Sequence, residues 1–121
     1  MKTSELTGAA LDWAVAKCKG HVIQLLQLRR NHSYDFLIGA GLGLIFRPST
    51  NWADGGPIIE HELCELVKCK SGLIVWWECH SGIEGTKGHA IATGPTLLIA
   101  AMRCYVTSKL GDEIEIPKEL L

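Results

Sequence analysis

Apolar positions first recur at helical spacing. Leu11, Ala14, Val15 and Cys18 share one face at i, i+3, i+4 and i+7. Thr7 is placed to act as an N-cap, with Leu6 and Leu11 as a hydrophobic staple around it. Lys17 and Lys19 favour the negative end of the helix dipole, and Gly20 is a suitable stop. The pattern predicts a helix over Thr7–Lys19. Trp13 lies off the centre of its apolar stripe, at the rim of the core.

The pattern then changes. His21–Leu28 and Tyr34–Ile38 read as strands separated by a polar stretch. Gly39, Gly41 and Gly43 interrupt the pattern after Ile38, as at a turn or bulge, and Leu44–Phe46 resumes a strand. Arg47–Pro57 reads as a loop on composition alone. Ile58–Val67 fits both a strand and a helix, with the strand slightly ahead because the segment opens on Ile58–Ile59. Leu73–Cys79 is a strand with bulk on both faces, which predicts a central or doubly covered position. Ser81–Gly94, glycine-rich and polar, reads as a long loop.

A second helix is predicted over Pro95–Leu110, with Pro95 at its first position and Gly111 as its stop. Leu97, Leu98, Ala101, Met102, Tyr105 and Val106 give it a wide apolar surface. Thr96, Ala100, Arg103 and Thr107 form a narrow polar or small-residue face. Such a helix needs a sheet and a second contact, either the first helix or another subunit. After Asp112 the tail alternates apolar and charged residues, as a short edge strand would. The sum is an α+β fold, a small and mostly antiparallel sheet packed with an N-terminal and a C-terminal helix, in one domain over residues 1–121.

The totals narrow the function classes. At 121 residues, 47% of them hydrophobic, the chain can bury a core without disulfides. The net charge of −1 and a single adjacent basic pair, Arg29–Arg30, disfavour nucleic acid as a partner. No apolar run reaches membrane-spanning length, and the first residues lack a signal-peptide layout. These features predict a cytoplasmic protein without a membrane partner. The cysteine count is odd, at five, which argues for reduced, buried thiols. Their spacing matches no structural zinc site, so no metal or other cofactor is expected.

The richest cluster is Pro48–Pro57. Ser49, Thr50, Asn51 and Asp54 carry short side chains suited to bonding backbone amides. Gly55 and Gly56 permit tight or left-handed backbone geometry. Trp52 offers a flat apolar face with one donor. Together they can form the wall of a pocket, or simply a loop whose tryptophan plugs the core. Thr96, with Thr93 and Gly94 before it, opens the last helix, where free N–H groups suit an anion. If that helix start lay beside the tryptophan loop, a planar, phosphate-bearing ligand would fit. Glu60, the most prominent of three nearby glutamates, and Asp54 are the candidate bases. No catalytic set is assigned, because the chain holds no nucleophile elbow, phosphate loop or zinc-protease motif. The Gly39–Gly43 run lacks the remainder of a nucleotide-loop pattern.

The opening Lys2–Ala16, the stretch Pro48–Glu60 and the segments Gly94–Thr96 and Leu98–Val106, continued by Lys109–Glu113, resemble the NinX-like family of small phage and prophage proteins. These blocks span nearly the whole chain. Ile38–Phe46 and Ser81–Gly94 depart from the family pattern. The resemblance implies a tailed-phage accessory protein of unestablished activity, compatible with a host-interaction or counter-defence role. The chain then has three readings. The first is non-enzymatic binding of a small, nucleotide-like ligand or a host protein through the Trp52 loop and Thr96. The second is a small hydrolase or transferase using Glu60 or Asp54. The third is a structural homodimer formed through the last helix.

Overall fold

A computed structural model describes residues 1–30, 33–40, 45–62, 65–82 and 89–121. Gly41, Gly43, Leu44, Leu63, Cys64 and the centre of the Ser81–Gly94 segment, on which several expectations rest, lie outside the described residues.

The first helix, α1, spans Gly8–Cys18. Thr7 holds the N-cap position with extended backbone, but its hydroxyl makes no capping bond. Leu6 and Leu11, on either side of it, are both fully buried in the core. The stop at Gly20 is as the sequence suggests. Gly20 has φ +73° and donates its N–H to the Lys17 carbonyl at 3.1 Å. His21 reaches back to the Ala16 carbonyl, also at 3.1 Å, which completes the paired terminal bonds of a left-handed glycine stop. Trp13 is half-buried against the core, with the Lys17 ammonium 5.3 Å from its ring.

Strands β1 (Ile23–Arg30) and β2 (Ser33–Ala40) pair antiparallel and pack on α1. They form a sheet of their own. The second sheet holds β3 (Glu65–Ser71), β4 (Ile74–Ser81) and β5 (Ala90–Gly94), in that order and all antiparallel. The predicted single layer is thus two sheets, and the fold is α+β.

Three expectations are corrected. The loop expected over Arg47–Pro57 ends at Asn51, because helix α2 runs Trp52–Glu62 through two glycines and Pro57. The ambiguous Ile58–Val67 segment belongs to both alternatives, α2 first and β3 after it. The end of the supposed Ser81–Gly94 loop is β5, whose Ala90, Ala92 and Gly94 are buried. Strand β4 is central, as expected, but covered on one face only. Cys79 and Ser81 are buried, whereas Trp76, Glu78 and His80 on the opposite face are half-exposed.

Helix α3 spans Leu97–Leu110 and contacts β4, β5, α1, α2 and the 3-10 turn Thr3–Glu5. Pro95 precedes the helix rather than opening it, because Thr96 is the N-cap and its Oγ1 accepts the Ile99 N–H at 3.1 Å. The wide apolar surface is used within the chain, since Leu98, Met102, Tyr105 and Val106 are all buried. Ala100 and Cys104 lie toward the sheet, where the Cys104 thiol donates to the carbonyls of Cys79 and Ala90 at 3.4 and 3.3 Å. The polar face ties down the N-terminal segment. The Arg103 Nε donates to the Leu6 carbonyl at 2.8 Å, and the hydroxyls of Thr107 and Thr3 bond at 2.9 Å. The tail forms one bridge, Lys2 to Glu113, in place of an edge strand, and then a 3-10 turn over Lys118–Leu120. No helix among the described residues is long and apolar enough to cross a membrane.

Helix α3 approaches β5 closely only because residue 94 lacks a side chain. A Cβ on Gly94 would lie 2.7 Å from the Ala100 nitrogen, a backbone atom that cannot turn away. Gly94→Ala is expected to cost about 1–3 kcal/mol through overpacking, read as a lowered urea midpoint with an unchanged m-value. A midpoint equal to that of the parent would show that the helix can shift without penalty.

Candidate functional site

The segment after Phe46 is fixed by its own polar side chains and by one carboxylate from α1. Asp12, 5% exposed, accepts the Ser49 backbone N–H at 2.9 Å. Burial raises its pKa from 3.8 to about 6, although the Ser49 groups and the nearby Arg47 charge favour ionisation. The Ser49 hydroxyl is buried near this carboxylate, with no partner in hydrogen-bond geometry among the described residues. Pro48, next to it, is fully buried.

Asn51 and Asp54 then organise the start of α2. The Asn51 Oδ1 accepts the Ala53 N–H at 2.9 Å, and its carbonyl accepts the Gly55 N–H at 2.9 Å. Asn51 is therefore a capping residue. The Asp54 Oδ2 accepts the Arg47 N–H at 3.0 Å, closing the turn. Gly55 lets the helix press onto its surroundings, since a Cβ there would lie 2.5 Å from the Pro48 carbonyl oxygen and 2.7 Å from the Leu98 Cδ2. Gly56 is half-buried, and the nearest atom to a Cβ there would be Trp52 Cε3 at 3.9 Å.

These contacts put the start of α2 beside the start of α3. A pocket of about 260 Å³ lies between them, lined by Ser49, Thr50, Trp52, Thr96, Leu97, Leu98 and Ile99. The adjacency that the sequence left open is therefore present. Trp52 does not plug the core, for it is 57% exposed on the pocket wall. Thr96 spends its hydroxyl lone pair on Ile99, which leaves the Leu97 and Leu98 N–H groups without an intrahelical acceptor.

Four predicted residues, Ser49, Thr50, Trp52 and Thr96, line this pocket. Asn51, Asp54, Gly55 and Gly56 shape the wall from behind, and Glu60 is exposed further along α2. Sequence reasoning missed Leu97 and Leu98, which read as part of an apolar helix surface, and Ile99. It also missed Asp12, which reads as an ordinary polar position on α1. The one available signal was a carboxylate set directly beside the buried Leu11, too common an arrangement to mark it out. Among the described residues no three His, Cys, Asp or Glu side chains gather as a metal site would require. Burial pushes the pKa of the Cys18 thiol up to about 11, which disfavours the thiolate.

The family model described as Bacteriophage P22, NinX matches residues 2–109. The chain belongs to the NinX family. Both walls of the pocket, Ser49–Trp52 and Thr96–Ile99, lie within the matched span, as does Asp12. No curated protein matches the chain. As a phage protein of the NinX family, the chain sets a matched segment at each side of one cavity.

The Asp12 pKa has a consequence for stability. The folded state binds the proton near pH 6 and the unfolded state near 3.8, so stability falls as pH rises through that window. By the linkage relation the change is on the order of 3 kcal/mol. Asp12→Asn keeps an acceptor for the Ser49 N–H and does not titrate. Urea unfolding at pH 4 and pH 7 should show the variant gaining roughly 2–3 kcal/mol on the parent between the two conditions. An equal difference at both would mean that Asp12 ionises like an exposed carboxylate.

Proposed function

We propose that this NinX-family protein is a non-enzymatic phage accessory protein that holds a small, nucleotide-like ligand in the pocket between the Ser49–Trp52 segment and the start of α3. The observation that carries the reading is the pocket with Trp52 half-exposed on one wall and the capped start of α3 on the other. An exposed indole with Leu97, Leu98 and Ile99 on the other wall suits one flat ring system. At about 260 Å³ the pocket takes the base of such a ligand, with the sugar and phosphate toward the start of α3. Thr50 and the free N–H groups of Leu97 and Leu98 supply the few polar contacts that fix orientation, and the positive end of the α3 dipole favours a negatively charged substituent.

Two observations weigh against the hydrolase or transferase reading. The Asp54 carboxylate is engaged by the Arg47 N–H, and Glu60 is exposed on α2; neither lines the pocket.

The test is an amide NMR titration of the whole chain with adenosine 5′-monophosphate, and in parallel with adenosine. Resonances of Thr50, the Trp52 indole, and Leu97–Ile99 are expected to move together, more strongly with the monophosphate. Trp52→Ala should weaken binding about tenfold or more through lost stacking, while leaving the thermal midpoint within a few degrees, since the ring is largely exposed. Shifts that are absent at millimolar ligand, or that survive the substitution unchanged, would remove the pocket from consideration.

A further inference from the structure

The β3–β4 ribbon extends past the rest of its sheet. Strand β5 pairs with β4 only from Ser81 to Trp77, where it ends at Gly94. Beyond that pair the ladder continues with two strands alone, Cys69 opposite Trp76, Lys70 opposite Val75 and Ser71 opposite Ile74. A turn at Gly72, φ +61°, closes it. Two-stranded ribbons bury little of themselves, and this one carries apolar residues where polar ones would serve solubility. Leu73 is 102% exposed, Ile74 68% and Val75 42%.

The placement of these side chains distinguishes the ribbon from an unpaired sheet face. Ile74, beside Ser71, and Val75, beside Lys70, stand on opposite sides and Leu73 crowns the turn, so both sides of the tip carry an exposed apolar side chain. A flat partner surface would cover one side only. A fluid apolar medium covers both. Just behind the tip stand exposed Lys68 and Lys70 and half-buried Trp76. From Leu66 to Trp77 the chain has two lysines and no acidic residue, although its overall charge is −1. The projecting length, from Trp77 to Leu73, is roughly 13 Å at about 3.3 Å per residue. That reach suits the headgroup and upper acyl region, where apolar side chains sink about 5–10 Å, tryptophan settles at the boundary and lysine meets anionic headgroups. The outer backbone edges of the ribbon, unpaired by any third strand among the described residues, limit it to that depth.

We infer that the Lys68–Trp77 ribbon docks the protein on an anionic lipid surface by inserting its Leu73–Ile74–Val75 tip. This departs from the expectation of no membrane partner, which rested on the lack of a spanning segment; a surface contact needs none. The mode is peripheral and reversible, with salt weakening the lysine contribution.

The test is vesicle flotation of the full chain. Vesicles of phosphatidylglycerol and phosphatidylethanolamine at 1:3 are compared with pure phosphatidylcholine, at low salt and in 0.5 M NaCl. The chain should float with the anionic vesicles, and roughly tenfold less with neutral ones or in high salt. Leu73→Asp with Ile74→Ser should abolish flotation, and Lys68→Glu with Lys70→Glu should remove the preference for anionic lipid. All four side chains are exposed, and circular dichroism of each variant checks that folding is intact. A parent that stays unbound, or floats equally well with the tip pair replaced, overturns the inference. So does a solution mass showing an oligomer that the tip pair dissolves, because the tip would then meet a second copy. The Trp52→Ala variant should float like the parent, which keeps this outcome separate from that of the pocket.

Discussion

The close seating of α3 on β5 is the contact on which the other positions depend. Gly94, Ala92 and Ala90 on the strand face Ala100 and Cys104 on the helix, so backbone meets backbone with little between. Small residues forgo the large area that leucine pairs bury, but they let the helix sink until its remaining sides reach α1, α2 and the N-terminal turn. Once α3 is sunk, Leu98 meets Gly55 of α2, Arg103 reaches the Leu6 carbonyl and Thr107 reaches Thr3. A bulkier seam would lift the helix and leave those polar groups without their partners.

Much of this was legible in the sequence where local and tertiary preferences agree. The α1 stripe from Leu11 to Cys18 and its stop at Gly20 are local signals that packing reinforces. The terminal helix and the β4 strand were legible for the same reason. Helix α2 was not. Gly55, Gly56 and Pro57 together disfavour a helix by several kcal/mol on intrinsic scales, about 1 for each glycine and 3 for the proline. The gain that outweighs this is non-local, with Ile58 buried in the core and Gly55 fitted against Pro48 and Leu98. No window of residues around Gly55 contains that information. Strand β5 was hidden in the same way, because Ala90, Ala92 and Gly94 lack the branched side chains that mark a strand, and owe their state to the helix above them.

The candidate pocket shows how one short segment serves two ends. Asn51, Asp54 and Gly55 are used for turn closure, capping and close approach, and together they hold the exposed indole of Trp52 in place. The sequence marks the cluster that forms this wall but does not separate the residues that build it from those that face the cavity. That separation depends on which lone pairs are already occupied, and only the folded chain decides it. The buried Asp12 is the clearest case. A carboxylate placed on an otherwise apolar helix face is costly, and its partner is the backbone of Ser49, distant in sequence and adjacent to the pocket.

The pairing of the first residues with the tail bears on how the chain reaches its fold. Thr3 and Thr107 are 104 positions apart, and Leu6 and Arg103 are 97 apart. The helix on which α1, α2, β4 and β5 lean follows all of them in the chain, so it leaves the ribosome after they do. Until it arrives, α1 and the β3–β5 sheet have no common partner, and their apolar faces wait in the open. Contacts of such sequence span slow the search for the native state. The long-range closure of the fold therefore waits until α3 has been made.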